Sequence, residues 1–103
     1  MATFSAVSAV HGTSSAAAVD TVNLSKDYTT VEVLNRGTGD SIYFTIDGAG
    51  GPSADGVPTV AGNDTYVAVP GSAVKVPSRV ASATTLKLIA TTATAFSITG
   101  VVD

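Results

Sequence analysis

Hydrophobic and polar residues alternate with a period of two along most of this chain. Val31 and Val33 flank Glu32, and Ile42, Phe44 and Ile46 alternate with Tyr43, Thr45 and Asp47. Such alternation, interrupted by Gly, Asn and Asp, is the pattern of antiparallel strands with one buried face. The pattern predicts strands over Val19–Ser25, Tyr28–Asn35, Ser41–Asp47, Thr65–Pro70, Ala73–Pro77, Thr84–Thr91 and Ala95–Val102. Between the second and third, Asn35-Arg36-Gly37-Thr38-Gly39-Asp40 reads as a hairpin connection with a bulge or a longer loop. Thr92-Ala93-Thr94 reads as the turn of a closing hairpin. The strands ending at Pro70 and Pro77 each lose a ladder donor there, which favours a sheet edge or a strand terminus.

Short strands at this spacing, about seven to nine in number, predict an all-β fold: a small antiparallel β-sandwich or barrel. The inward positions are Val22, Leu24, Val31, Val33, Ile42, Phe44, Ile46, Val67, Val69, Val74, Val76, Leu86, Leu88, Phe96 and Ile98. Composition agrees. The chain has 103 residues, enough for one domain. Val and Thr are abundant, and their branched Cβ is stiff at χ1 and suits a pleated sheet.

Two segments depart from the strand pattern. Met1–Val10 alternates weakly, with Phe4, Ala6 and Ser8 against Ser5, Val7 and Ala9, and could be a strand; it then runs into the small, featureless HGTSSAAA of His11–Ala18. This reads as an N-terminal arm, 1–18, on a β-sandwich domain, 19–103. The arm is either a disordered terminus or a segment that adds to a neighbour's sheet through Phe4 and Val7. Residues Gly48–Asp64, rich in Gly and Pro, form the longest irregular stretch and the first choice for a partner-contacting loop. Within it Gly50, Pro52, Asp55, Val57 and Pro58 are the candidate contacts, and Pro58-Thr59-Val60 reads as a short extended piece.

Charge and candidate chemistry then narrow the function. Charged residues make up 13% and the net charge is −3, with the five basic residues scattered. Nucleic acid would need a basic patch. No apolar run approaches the roughly 20 residues of a membrane helix. MATFSAVSAV lacks the charged and apolar regions of a signal peptide. There is no cysteine and one histidine, His11, which falls in the linker and so reads as solvated; neither a Ser-His-Asp relay nor a structural zinc site follows. Asp47, Asp55 and Asp64 bracket the long loop, but their spacing fits no calcium-loop pattern. The carboxylates sit beside Gly, Thr or Ser in turns rather than as a hydrolytic pair. GAGGPSADG lacks the following GK[ST] of a phosphate loop. Tyr28, Tyr43 and Tyr66 could stack sugars, although strand tyrosines are more often packing residues. These readings assign no catalytic residue, cofactor or metal; the chain reads as non-enzymatic. A surface this poor in charge suits contact with other protein, so a homo-oligomer or permanent partner is expected.

The run VEVLNRGTGDSIYFTIDG, then PTVAGNDTYVAVPGSAVKVP, then TTLKLIATTATAFSITG, resembles small structural proteins of tailed bacteriophages. The likeness rests on a strand ending in N-R-G, the I-Y-F-T-I-D-G strand, the P-T-V-A-G-N-D-T-Y-V segment leading to a P-G turn, and the closing L-I-A-T-T-A-T-A-F-S-I-T-G. It covers Thr29 to Gly100 and leaves the arm unmatched. Among such proteins the chain looks most like a capsid decoration, or cement, protein. The resemblance implies a virion protein on the outer capsid surface, a small β-sandwich, often a homotrimer, that binds the major capsid protein where capsomers meet. A tail, connector or head-fibre component, and a carbohydrate-binding or adhesion module, are the alternatives.

Overall fold

The computed structural model describes residues 1–25, 30–46, 57–62, 65–77 and 84–101. Among them are nine strands and no helix: β1 (Thr3–Ala6), β2 (Ala9–Thr13), β3 (Asp20–Leu24), β4 (Thr30–Asn35), β5 (Ile42–Ile46), β6 (Tyr66–Ala68), β7 (Ala73–Pro77), β8 (Thr84–Ile89) and β9 (Ala95–Val101). They form a five-stranded sheet, β1-β3-β8-β5-β6, and a four-stranded sheet, β2-β9-β4-β7. All pairings are antiparallel except β1 with β3. The fold is the expected all-β sandwich. The strands ending near Pro70 and Pro77, β6 and β7, do lie at sheet edges.

The connections differ from the sequence reading. β4 and β5 lie in different sheets, as do β6 and β7, and β8 and β9. The Asn35–Asp40 segment is therefore a crossover between sheets, not a hairpin, and so is the Thr92–Thr94 turn. The turn residues are those of a hairpin, but each crossover instead lets two successive strands bury their apolar faces against each other. Of the connections between successive strands, only β5 to β6 stays within one sheet.

The core lies between the sheets. Val22, Leu24, Val31, Val33, Ile42, Phe44, Ile46, Val76, Leu86, Leu88, Phe96 and Ile98 are buried as the alternation requires. Val74 is partly buried against them. Val67 and Val69 are exposed instead, because Phe44 pairs with Tyr66 and Ile42 with Ala68, which turns Tyr66 and Ala68 inward. Tyr66 stacks on Phe44 with ring centroids 5.4 Å apart. Val10, Ala68 and Ala90 complete the buried set.

Residues 1–18 are also corrected. They are not a detached arm in this chain: β1 runs parallel to β3 and β2 pairs with β9. Ser14 N–H and the Thr94 carbonyl bond at 2.9 Å, and Ser14 Oγ accepts from Thr94 N–H at 2.9 Å. His11 thus sits on a strand rather than in a linker. The small residues read as a flexible linker fit a close approach. Gly12 leaves room that the Phe4 ring fills, and a Cβ there would meet Phe4 at 2.9 Å and Phe96 at 3.2 Å. Phe4 and Phe96 meet edge to face, 5.4 Å between centroids.

Asn35, fully buried, joins two of the crossovers. Its Oδ1 accepts from Gly37 N–H at 2.8 Å, and its Nδ2 donates to the Asp40 and Ala68 carbonyls, each at 2.9 Å. Its backbone N–H donates to the Ser72 carbonyl and its carbonyl accepts from Gly71 N–H, both at 3.0 Å. Gly71 has φ of +78° and follows Pro70, and Ser72 N–H bonds the Val69 carbonyl at 3.0 Å. That is a type II turn, with Pro preset at its first central position and Gly supplying the positive φ.

Two outcomes are expected from these contacts. Gly71→Ala forces an L residue into the left-handed region and should lower stability by about 1–2 kcal/mol in urea unfolding. Asn35→Ala leaves the part-buried Gly37 N–H and two carbonyls short of a partner and should cost about 3 kcal/mol. Asn35→Asp keeps the Gly37 bond but turns a carboxylate toward two carbonyl oxygens, so it should be at least as damaging as alanine.

Candidate interaction surface

The outward positions of the four-stranded sheet follow from its register. One row runs His11, Ser97, Leu34, Ala73, and the next runs Ala9, Thr99, Glu32, Lys75. Ser, Thr, Ala and Leu fill five of these eight positions; His11, Glu32 and Lys75 are the others, and Ser97 is largely covered. Glu32 and Lys75 lie directly opposite one another, so the two charges offset each other across the strands. His11 is exposed, with Nδ1 2.8 Å from Ser97 Oγ. Its register neighbours offer no carboxylate to orient the imidazole: Leu34 lies beyond Ser97 in the same row. The pair is a cross-strand polar contact on the outward side of this sheet.

The outward side of the five-stranded sheet has the same character. Thr3, Thr21, Lys87 and Thr45 lie in one row, of which Thr45 is buried; Ser5, Asn23 and Thr85 form a second. Ile89, Tyr43 and Val67 form a third, more apolar row. Thr85 Oγ1 and Asn23 Oδ1 bond at 3.1 Å within the second row.

Charges elsewhere are tied to local structure. Arg36 Nη2 donates to the Phe96 carbonyl at 3.0 Å and the Gly12 carbonyl at 3.4 Å, holding β2 and β9 at the crossover. Asp40 accepts from Thr92 Oγ1, joining two crossovers. Among the described residues there is no group of three or more His, Cys, Asp or Glu placed to hold a metal ion. Asp47, Asp55 and Asp64 lie outside the described residues.

The candidate contact residues are distributed as follows. Phe4 is half-buried and packs against the core, so its ring serves the fold of its own chain. Val7 is 62% exposed. Val57 is 44% exposed, while Pro58 is buried. Gly50, Pro52 and Asp55 lie outside the described residues. Pro58-Thr59-Val60 does not continue as an extended piece: Val60 and Ala61 form a turn, with Ala61 at φ of +54° and Gly62 N–H bonded to the Thr59 carbonyl at 3.0 Å. Phe4 lies on β1 and Val57 leads toward β6, and these strands are opposite edges of one sheet.

The tyrosines are also separated. Tyr43 faces outward beside Val67, whereas Tyr66 faces inward on Phe44. Tyr28 lies outside the described residues. Tyr43 and Tyr66 therefore do not make a joint stacking platform. In the outward row of Ile89, Tyr43 and Val67, sequence reasoning misplaced only Val67, which the alternation assigned to the core.

Comparison with protein-family models, with curated proteins and with solved structures finds no match to this chain.

The different environments of Phe4 and Val7 give a direct test. Phe4→Ala should lower the stability of the isolated protein by about 2–4 kcal/mol, since it empties the space between Gly12 and Phe96. Val7→Ser should change stability by less than about 0.5 kcal/mol. Denaturant midpoints of the two variants check both.

Proposed function

We propose that this protein is a non-enzymatic structural component of a phage virion that decorates the outer surface of the head and bridges capsomers. The observation that carries this reading is the character of the two outer faces. Their described outward rows are mostly uncharged side chains, with Lys87 on one face and Glu32 standing opposite Lys75 on the other. Surfaces of that kind suit broad contact with protein, where the centre of an interface is depleted in charge. The strand and turn motifs from Thr29 to Gly100, which resemble phage structural proteins, support the same reading.

Cementing a shell needs many modest contacts presented together. A homotrimer supplies three copies of one interface and gains by avidity what each contact lacks. Closed symmetry would also cover part of the uncharged surface. The partner in this reading is the major capsid protein. Nothing in the mechanism calls for a cofactor or a reacting group; binding alone stiffens the junction.

Imaging of intact particles tests the proposal. Hundreds of copies at capsomer junctions on the head are expected, and heads stripped of the protein should break at lower temperature. A handful of copies at the tail or neck would replace this reading with a tail or connector role. Because the faces carry little charge, attachment should change little between about 0.05 and 0.5 M salt, a range over which the Debye length falls from about 14 to about 4 Å. Leu34→Lys on one face and Tyr43→Lys on the other should each leave the fold intact, and the face that binds the shell is the one whose variant loses attachment in a co-sedimentation assay.

A further inference from the structure

The edges of the two sheets differ in what their outward backbone carries. On the β6–β7 flank, Asn35 N–H donates to the Ser72 carbonyl, so β7 bonds β4 at Ser72 and, two and four residues on, at Val74 and Val76. Ala73, Lys75 and Pro77 therefore turn their backbone groups away from β4. Lysine and proline are the usual guards of an exposed edge, the one by its charge and the other by its missing N–H. β6 has only three residues, and Asn35 Nδ2 holds the Ala68 carbonyl at its end.

The opposite flank, formed by β1 and β2, has neither guard. Residues 1–19 contain no Asp, Glu, Lys, Arg or Pro. Gly100 N–H donates to the Ser8 carbonyl and Ser14 N–H to the Thr94 carbonyl, each at 2.9 Å. The same period of two sets Val10 and Gly12 on β9 and directs the N–H and C=O of Ala9, His11 and Thr13 away from it. His11 and Thr13 are exposed, and β2 is the outermost described strand of its sheet. On β1 the carbonyls of Ala2 and Ala6 bond Thr21 and Ser25, which leaves two outward residues, Thr3 and Ser5, against three on β2.

We infer that β2 pairs antiparallel with β2 of a second copy of this chain, across a two-fold axis at His11. Ala9 of one copy then faces Thr13 of the other and His11 faces His11, and each pair exchanges two main-chain hydrogen bonds. The four-stranded sheet continues through the axis as one sheet. Charge favours a copy of the same chain as the occupant. The net charge is −3, and copies repel least where they meet on a segment without charged side chains. The same pairing of β7 would set Lys75 against Lys75. Shape agrees: Val10, on the inner side of β2, comes opposite Gly12 of the other copy, where there is no side chain to meet and the half-buried Phe4 ring lies beside it. This two-fold contact is separate from the three-fold association of the virion reading and does not depend on it.

Sedimentation equilibrium of the full chain, up to about 1 mM, tests the inference. An even number of chains is expected. A monomer throughout would overturn it, and so would a trimer alone, which would leave the virion reading standing. Thr13→Pro removes an outward donor and no bond to β9. It should keep the native circular dichroism and weaken the two-fold association about thirtyfold, since one hydrogen bond is lost on each side of the axis. His11→Lys sets two ammonium groups opposite each other and should weaken it about fivefold. His11→Ala loses the same Ser97 contact but no backbone donor and should change it less than about twofold. If Thr13→Pro does not fold, the two His11 variants decide. Equal weakening by His11→Ala and His11→Lys would overturn strand pairing in favour of a side-chain contact. Association unchanged in both Thr13→Pro and His11→Lys would also overturn it, since another surface would then hold the copies.

Discussion

Asn35 is the point on which the two sheets are registered. A chain that changes sheet at almost every connection must turn its backbone through the end of the sandwich repeatedly, and each turn brings peptide groups close to the core. Those groups need partners, because a buried unsatisfied donor or acceptor costs about 1–3 kcal/mol. Asn35 meets the need for two crossovers at once. One side-chain amide closes the turn after β4 on Gly37 and Asp40 and also holds the Ala68 carbonyl at the end of β6. Its backbone bonds Gly71 and Ser72 at the turn into β7. No apolar residue of similar volume could do this, which accounts for an amide at a position where the alternation of β4 calls for a hydrophobic one. Among the described residues, no buried side-chain nitrogen or oxygen is left without a partner.

The alternation between sheets also decides which strands are central. β8 is the middle of the five-stranded sheet, and β9 lies between β2 and β4 in the other. The last two strands therefore join elements drawn from the rest of the chain. β1 and β3 reach β5 and β6 only through β8, and β2 reaches β4 only through β9. Few of the contacts are local in sequence, a topology that folds slowly because loops must close before pairing rewards them. The N-terminal segment completes the same arrangement from the other side, with Phe4 filling space above Gly12 and Asp20 holding Ala2.

Among the described residues, the polar groups of the crossovers and the Asp20 carboxylate are engaged in the fold, and the outer sheet faces carry the remaining polar side chains. They combine hydroxyls and methyls with a few charges and one more apolar row, Ile89, Tyr43 and Val67. The one histidine lies against a serine on such a face, without a carboxylate beside it in register.

The alternation of residues by itself determined the class of fold, the positions of most strands and twelve of the fifteen expected core side chains, because period-two burial is a local property of an extended chain. Pro70 and Pro77 likewise marked edge strands, since a missing N–H acts wherever the strand is placed. The tertiary structure alone decided which strands pair. Asn35-Arg36-Gly37 and Thr92-Ala93-Thr94 carry residues equally at home in a hairpin and in a crossover, and only packing of the two apolar faces against each other selects the latter. It decided the face of β6 as well: Tyr66-Val67-Ala68-Val69 reads inward at the valines, but the stacking of Tyr66 on Phe44 sets the opposite register. The first eighteen residues were illegible for a similar reason. Their small side chains look like a linker until Phe4, Gly12, Ser14 and Ser15 are set beside Phe96, Thr94 and Asp20, partners that lie far along the chain or across a turn and leave no mark in the local pattern.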